Sequence, residues 1–476
     1  MTESKLIDAL KQLPTRERTR YRELAFSPFF NKNQKVRRLA VHLLKTAPSF
    51  EGPALEKDAV FKAVFGKGKT YDEYRLNNVI SDALQLLYEF LAQLRMESEG
   101  LTRRTMLAEE LLGRRLERHL PHALQRNRQL LELEQSRSMA FFLHEHRLAG
   151  QLDRFALLRE TRSYTQHLQE MNDALDRYYW CNKLRLACDM ASRNQAINAG
   201  YQCHFLDAIL EGYRQGPAPL SGEPALEAYF TALQMLETET EEHYRALRNI
   251  LHQQPPLTRE ELSDLYDYAQ NFCVKKINSG QTDYYAEILE LYKEMLKHQI
   301  LLRQGYLTQW SYINIVTAGI RLREFAWTEW FIRTYREQLD PAVRDNVYTY
   351  NLAALYFEQG QYHLALQSLQ DVEFSDVFYH MAAKLIQLKS YYELNETEAF
   401  FSLAEASRKY IHRNRQLSDY QKQSNANFLR LAGKLYQIRL NGGRGAGLNL
   451  LNQELDGPKP FANKGWLRGK IGELRG

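Results

Sequence analysis

The chain has 476 residues, of which 44% are hydrophobic, 25% charged and 12% aromatic. That balance excludes an apolar-poor disordered chain, and the length suits either about two to four ordinary domains or one long array without a single compact core. Formal net charge is +5, of which residues 439–476 contribute +4 from seven basic and three acidic side chains.

No run of about 18 apolar residues occurs, and Met1 to Lys5 show no basic start followed by an apolar core. A cytoplasmic protein is expected. Only 13 prolines occur, and residues 54–120, 122–216, 257–340 and 342–457 contain none, as helices require. Leu, Glu, Gln, Arg and Ala, all good helix formers, dominate there. The four cysteines, Cys181, Cys188, Cys203 and Cys273, have neither zinc-ligand spacing nor the density of a disulfide-stapled domain, and are expected as buried free thiols.

In chain order, residues 1–100 read as short helices broken at Pro14, Pro28, Pro48 and Pro53, then one strong helix over about residues 71–94. Its apolar face is Leu76, Val79, Ile80, Ala83, Leu84, Leu87, Phe90, Leu91 and Leu94, at steps of three and four. Residues 101–220 stay helical, with Pro121 as an internal break and Gln215-Gly216-Pro217-Ala218-Pro219 as the domain or sub-domain boundary. From 221 to 440, helical segments alternate with short punctuation such as Pro255-Pro256, Ser279-Gly280 and Asp340-Pro341. Thr258 with Glu261, and Ser418 with Gln421, match the capping box that satisfies orphan backbone donors. Residues 226–251, 260–274 and 284–302 read as helices of early hairpins. Residues 441–476 form a glycine-rich joint, Gly442, Gly443, Gly445 and Gly447, and a basic tail containing Trp466. That tail is expected to be mobile unless a partner or the end of the helical array holds it.

One unit repeats. Between Asn346 and Phe374, Leu352, Ala353, Tyr356, Gly360, Tyr362, Ala365 and Leu369 follow a helical-hairpin pattern. Ala353 and Ala365 permit close approach of two helices, the larger side chains fill around that contact, and Gly360 falls where the turn needs a permissive backbone. Asn314, Phe325, Thr328 and Ile332 stand 37 residues before Asn351, Tyr362, Ala365 and Leu369. Tyr391, Tyr392 and Ala404 stand 35 residues after Tyr356, Phe357 and Leu369. Residues 309–410 thus resemble the tetratricopeptide-repeat family. The resemblance implies an all-α fold, an α-solenoid of helical hairpins over residues 221–440 preceded by an N-terminal helical region.

In that family the first helix of each hairpin lines a groove, and an asparagine at its sixth position bonds a bound peptide. The resemblance carries this role to Asn314 and Asn351, with Arg321, Arg323 and Lys389 near enough in the pattern to attract carboxylates. The plainer alternative is a polar, solvated helix face. Tyr350 and Ala354 replace basic residues that a carboxylate clamp would need.

Ala63 to Thr70 fits the loose form of a phosphate-binding loop, but residues 57–65 read as a helix rather than the strand such a loop follows. His144-Glu145-His146 puts its histidines two apart, on different helix faces, unlike metalloprotease spacing. No nucleophile elbow or dinucleotide fingerprint occurs. The reading is therefore a non-enzymatic scaffold with no cofactor or metal, whose partner is another protein. The alternative partner is nucleic acid. Arg103, Arg104, Arg114, Arg115, Arg118, Arg126 and Arg128, against Glu109, Glu110 and Glu117, give +4 over residues 101–128, and such a stripe, with the basic tail, could follow a phosphate backbone.

Overall fold

The computed structural model describes all residues except 67, 160–164, 198, 216–221, 304, 371–376, 443–445 and 476. The described residues form 23 α-helices and no strand. None of these helices is long and apolar enough to cross a membrane. The chain divides into two compact units, Met1–Asn182 and Lys183–Gly476.

In the first unit, α1 (Lys5–Gln12), α2 (Thr15–Phe26), α3 (Gln34–Leu44), α4 (Lys57–Phe65) and α5 (Glu73–Ser98) surround one core running from Leu6 to Phe90. Ser4, Asn33 and Asp72 cap α1, α3 and α5 with side-chain oxygens. Most of the expected face of α5 is buried; Leu91 is exposed and Leu86 takes a core place instead. Tyr21 donates its hydroxyl to the Ala83 carbonyl at 3.0 Å, tying α2 to α5. Next, α6 (Gly100–Gly113), α7 (Leu120–Leu133) and α8 (Met139–Leu158) pack on one another. Pro121 lies in the first turn of α7, where a missing N–H leaves no bond unmade; the break falls before it.

The longest helix, α9 (His167–Ile197), crosses from the first unit to the second. Its second half belongs with later helices through the Arg185–Asp264 ion pair at 2.6 Å. The two compact units meet within α9, and residues 216–219 of the Gly-Pro cluster expected as the boundary lie outside the described residues. Either side of that cluster, Tyr213 of α10 (Leu206–Gln215) stacks on Phe230 of α11 (Pro224–Thr238), ring centres 4.2 Å apart.

The second unit continues with α12 (Glu241–His252), α13 (Arg259–Asn278), α14 (Tyr284–Lys297), α15 (Gln309–Arg321), α16 (Phe325–Thr334), α17 (Arg344–Glu358) and α18 (Tyr362–Ser368). It ends with α19 (Val377–Leu394), α20 (Thr397–Arg413), α21 (Asp419–Leu440), α22 (Ala446–Asp456) and α23 (Lys464–Arg475). Both expected capping boxes form, at the starts of α13 and α21. The break inside residues 226–251 comes at Glu239, which takes φ 54° and closes α11.

From α11 to α21 each helix packs on a sequence neighbour, and α11 with α13, α15 with α17 and α17 with α19 also touch. Buried tyrosines bridge successive helices: Tyr266 of α13 donates to Glu294 of α14 at 3.3 Å, and Tyr312 of α15 to the Ile332 carbonyl of α16 at 2.6 Å. In the α17–α18 hairpin, Ala353, Ala365, Leu352 and Leu369 are buried and Gly360 turns the chain with φ 76°. The preceding hairpin approaches through Gly319, where a Cβ would stand 2.1 Å from the buried Thr328 Oγ1.

Gly319→Ala gains about 1 kcal/mol of helix propensity but forces a clash, and overpacking of this kind costs about 1–3 kcal/mol. Thermal melts should show Gly319→Ala less stable than the parent and Gly319→Ala/Thr328→Ala recovering most of the loss. A stabilised single variant would show that α15 and α16 are not in contact there.

Candidate functional site

The sequence-predicted residues sit on α15, α17 and α19, but not equivalently. Asn314 is exposed on α15. Burial pushes the neighbouring Tyr292 hydroxyl up to about 12, against a hydrogen bond from Asn314. Asn351, by contrast, is 1% exposed, and its Nδ2 donates 2.7 Å to the Val347 carbonyl of its own helix. The two asparagines therefore differ in exposure. A buried amide must find a partner, and the carbonyl one turn back supplies it; as placed, Asn351 serves the packing of α17.

Arg321 is exposed in the last turn of α15, and Arg323 is exposed just beyond it. Lys389 of α19 is only 7% exposed. Its Nζ lies 4.3 Å over the Phe357 ring of α17 and 3.4 Å from Asn463 Oδ1. Burial lowers its pKa to about 8, Glu358 and Glu393 oppose that shift, and Arg321 adds to it. The positive charge of Arg321 therefore bears on Lys389, after burial and Glu358.

What covers Lys389 was not legible as a site. The expected basic tail is α22 and α23, helices whose Leu448, Leu451, Leu455, Leu467 and Ile471 are buried in the core shared with α21. Part of the glycine-rich joint, residues 443–445, lies outside the described residues. Pro460 O accepts from Asn427 Nδ2 at 3.0 Å, and Ala462 N donates to Ser424 O at 3.2 Å, leading the chain onto α21. Trp466 then enters between α19 and α21, its ring 5.0 Å from Tyr392 and 5.9 Å from Phe428. Its Nε1 donates to Glu393 at 3.2 Å, and Lys470 pairs with the same carboxylate at 2.9 Å. That pair is 14% and 11% exposed, so water screens it little. Glu393, Asn463, Trp466 and Lys470 are the residues missed; the spacing of Trp466, Leu467, Ile471 and Leu474 is the helical signal that glycine and charge masked.

In the first unit, Arg103, Arg104, Arg114, Arg115, Arg118, Arg126 and Arg128 are all exposed, and Arg114 pairs with Glu110 at 2.5 Å. A cleft of about 480 Å³ beside them mixes Arg128, Arg137 and Arg177 with Glu132, Glu145, Glu170 and Asp173. The loop at Ala63 to Thr70, with Lys67 outside the described residues, joins α4 to α5, so a helix and not a strand precedes it. On α8, His146 Nδ1 meets the Met171 carbonyl at 2.9 Å and Glu145 pairs with Arg177, which explains that acidic-histidine run as helix packing. Cys181, Cys188 and Cys273 are buried free thiols and Cys203 is half-buried. Among the described residues no group of three His, Cys, Asp or Glu could hold a metal ion. No family model, curated protein or solved structure matches this chain.

Lys389 has a pH signature. Its folded pKa lies below the value of about 10.4 for an unfolded lysine, so between about pH 8 and 10 the unfolded chain holds more protons and stability rises with pH through that window. Lys389→Met should therefore be more stable than the parent at pH 7, by up to about 3 kcal/mol at a shift of this size, and lose that advantage by about pH 10. A stability difference constant from pH 6 to 10 would refute a buried, strained charge.

Proposed function

We propose that the chain is a non-catalytic cytoplasmic scaffold, built in its second unit as a tetratricopeptide-like α-solenoid, that binds a peptide or helix of another protein. The observation that carries this reading is the succession of contacts α15 to α17 to α19. Read as the first helices of three hairpins, α15, α17 and α19 would form the arrangement from which repeat proteins make a binding groove. Packing between sequence neighbours from α11 onward supports the repeat assignment, as do the small residues Ala353 and Ala365 and the turn at Gly360. Exposed Asn314 and Arg321 would contact the partner at one end of that face.

Capture of binding proteins from cells by the purified chain tests this. Asn314→Ala/Arg321→Glu changes exposed residues but removes the Asn314 hydrogen bond to buried Tyr292, so it should stay folded with a somewhat lower melting temperature and lose about tenfold in partner retention, about 1.4 kcal/mol. Unchanged retention would reject this face. Asn351→Ala is a poor probe because its burial makes any loss a packing effect.

A second reading is favoured by the exposed arginines of residues 101–128: a nucleic-acid contact through Arg103, Arg104, Arg114, Arg115 and Arg118. The C-terminal basic residues support it less, because Lys470 and Arg468 are paired with Glu393 and Asp456. Binding of this kind weakens with a log–log salt slope of about −0.9 for each phosphate neutralised on duplex DNA. No retention of DNA or RNA at low salt would exclude it.

A further inference from the structure

We propose that the face shared by α19, α21 and α22 is a docking site for an amphipathic helix carrying a tryptophan and, one turn later, a lysine, and that α23 occupies this site as a displaceable internal mimic. The proposal rests on reading the second unit as protein-binding and names the chemistry of one helix it takes.

The geometry of the occupied site defines the ligand. Trp466 packs against two clusters at once, one containing Ala353, Phe357 and Ile386, the other Tyr392, Phe428 and Leu431. Glu393 reads two groups four residues apart, the indole N–H of Trp466 and the ammonium of Lys470. Residues four apart lie on one helix face, so a single carboxylate selects both the helix and its register. Leu467 and Ile471 are buried in the cluster that α21 and α22 form with Leu448, Leu451 and Leu455, and they complete the apolar stripe.

α23 is also built to be weak. Three of its 12 residues are glycine, Gly465, Gly469 and Gly472, and all three are exposed. A Cβ at any of them would meet nothing within 4 Å, and none has a positive φ. Neither close packing nor backbone conformation requires glycine here. Gly469 lies in the helix interior, where glycine is weaker than alanine, and Gly465 and Gly472 loosen its first and last turns. The helix is joined to α22 through Gly457, Pro458 and Pro460, which carry no helix. A docked segment with good contacts but poor intrinsic helicity yields readily to a partner that offers the same contacts on a stiffer helix.

Lys389 reports whether α23 is seated, because Asn463, immediately before α23, bonds its ammonium. Release of α23 bares this lysine to amine-reactive reagents.

The test uses the full chain and a fluorescent peptide of residues 462–475 as probe. Gly465→Ala/Gly469→Ala/Gly472→Ala should close the site: probe binding falls tenfold or more, amide exchange across residues 464–475 slows at least tenfold, and Lys389 labelling slows. Trp466→Ala/Lys470→Ala should open it, raising probe affinity and Lys389 labelling at least tenfold, and Glu393→Gln in that background should abolish the gain. The alanine variant alters only exposed positions and so remains informative if the opened variant misfolds. Equal probe binding by parent, closed and opened chains overturns the proposal. If the opened chain instead sediments as a dimer by exchange of α23, the occupant is a second copy of this chain and the partner-helix proposal falls. Captured cellular proteins are measured on the same variants: retention that depends on Asn314 and Arg321 but not on α23 refutes the latch alone, retention independent of all of them refutes both the Asn314–Arg321 face and the latch, and no retention by any variant refutes the scaffold reading.

Discussion

A helix of 10 to 20 residues is marginal in water until another element covers its apolar side, and in the second unit the covering element is nearly always a sequence neighbour. This one constraint organises the rest. It explains why the hairpin contacts need small residues, Ala353 and Ala365 in one pair and Gly319 against Thr328 in the pair before. It also explains why tyrosine is so frequent in the interior. A phenol covers a large apolar area and still reaches across to a polar group on the next helix, as Tyr266 and Tyr312 do.

Local chemistry decides where each helix stops. Some breaks are conspicuous, such as the capping boxes at Thr258 and Ser418 and the turn at Gly360. Others are made by residues that give no warning: Glu239, Gln299 and Arg323 take positive φ just past α11, α14 and α15. Left-handed closure by a non-glycine residue is tolerated when the packing of the two helices holds the turn in place. Reading residues 226–251 and 284–302 from periodicity therefore finds the helices and misses these ends.

The same competition between local and distant terms appears at the C terminus. Glycines and net positive charge in residues 441–476 argue for a loose tail, and locally they do weaken the helix. Burial of Leu467 and Ile471, the indole of Trp466 between Tyr392 and Phe428, and the shared carboxylate of Glu393 outweigh that weakness. The segment ends as a helix laid on the face where a binding role was expected for Lys389. Burial likewise separates two asparagines that look alike along the chain: Asn351 satisfies its amide within α17, while Asn314 stays open to solvent.

Read alone, the amino-acid order determined what depends on neighbours along the chain. It specified the all-helical class, the face of α5, the caps of α13 and α21, and the α17–α18 hairpin, because propensity, capping and three-to-four spacing act over one or two turns. Only the tertiary structure decided where the compact units divide, which asparagine is buried, and that Glu393 joins Trp466 and Lys470 across more than 70 positions of sequence. Those outcomes turn on desolvation and on charge pairing between distant segments, and neither leaves a periodic trace in the chain.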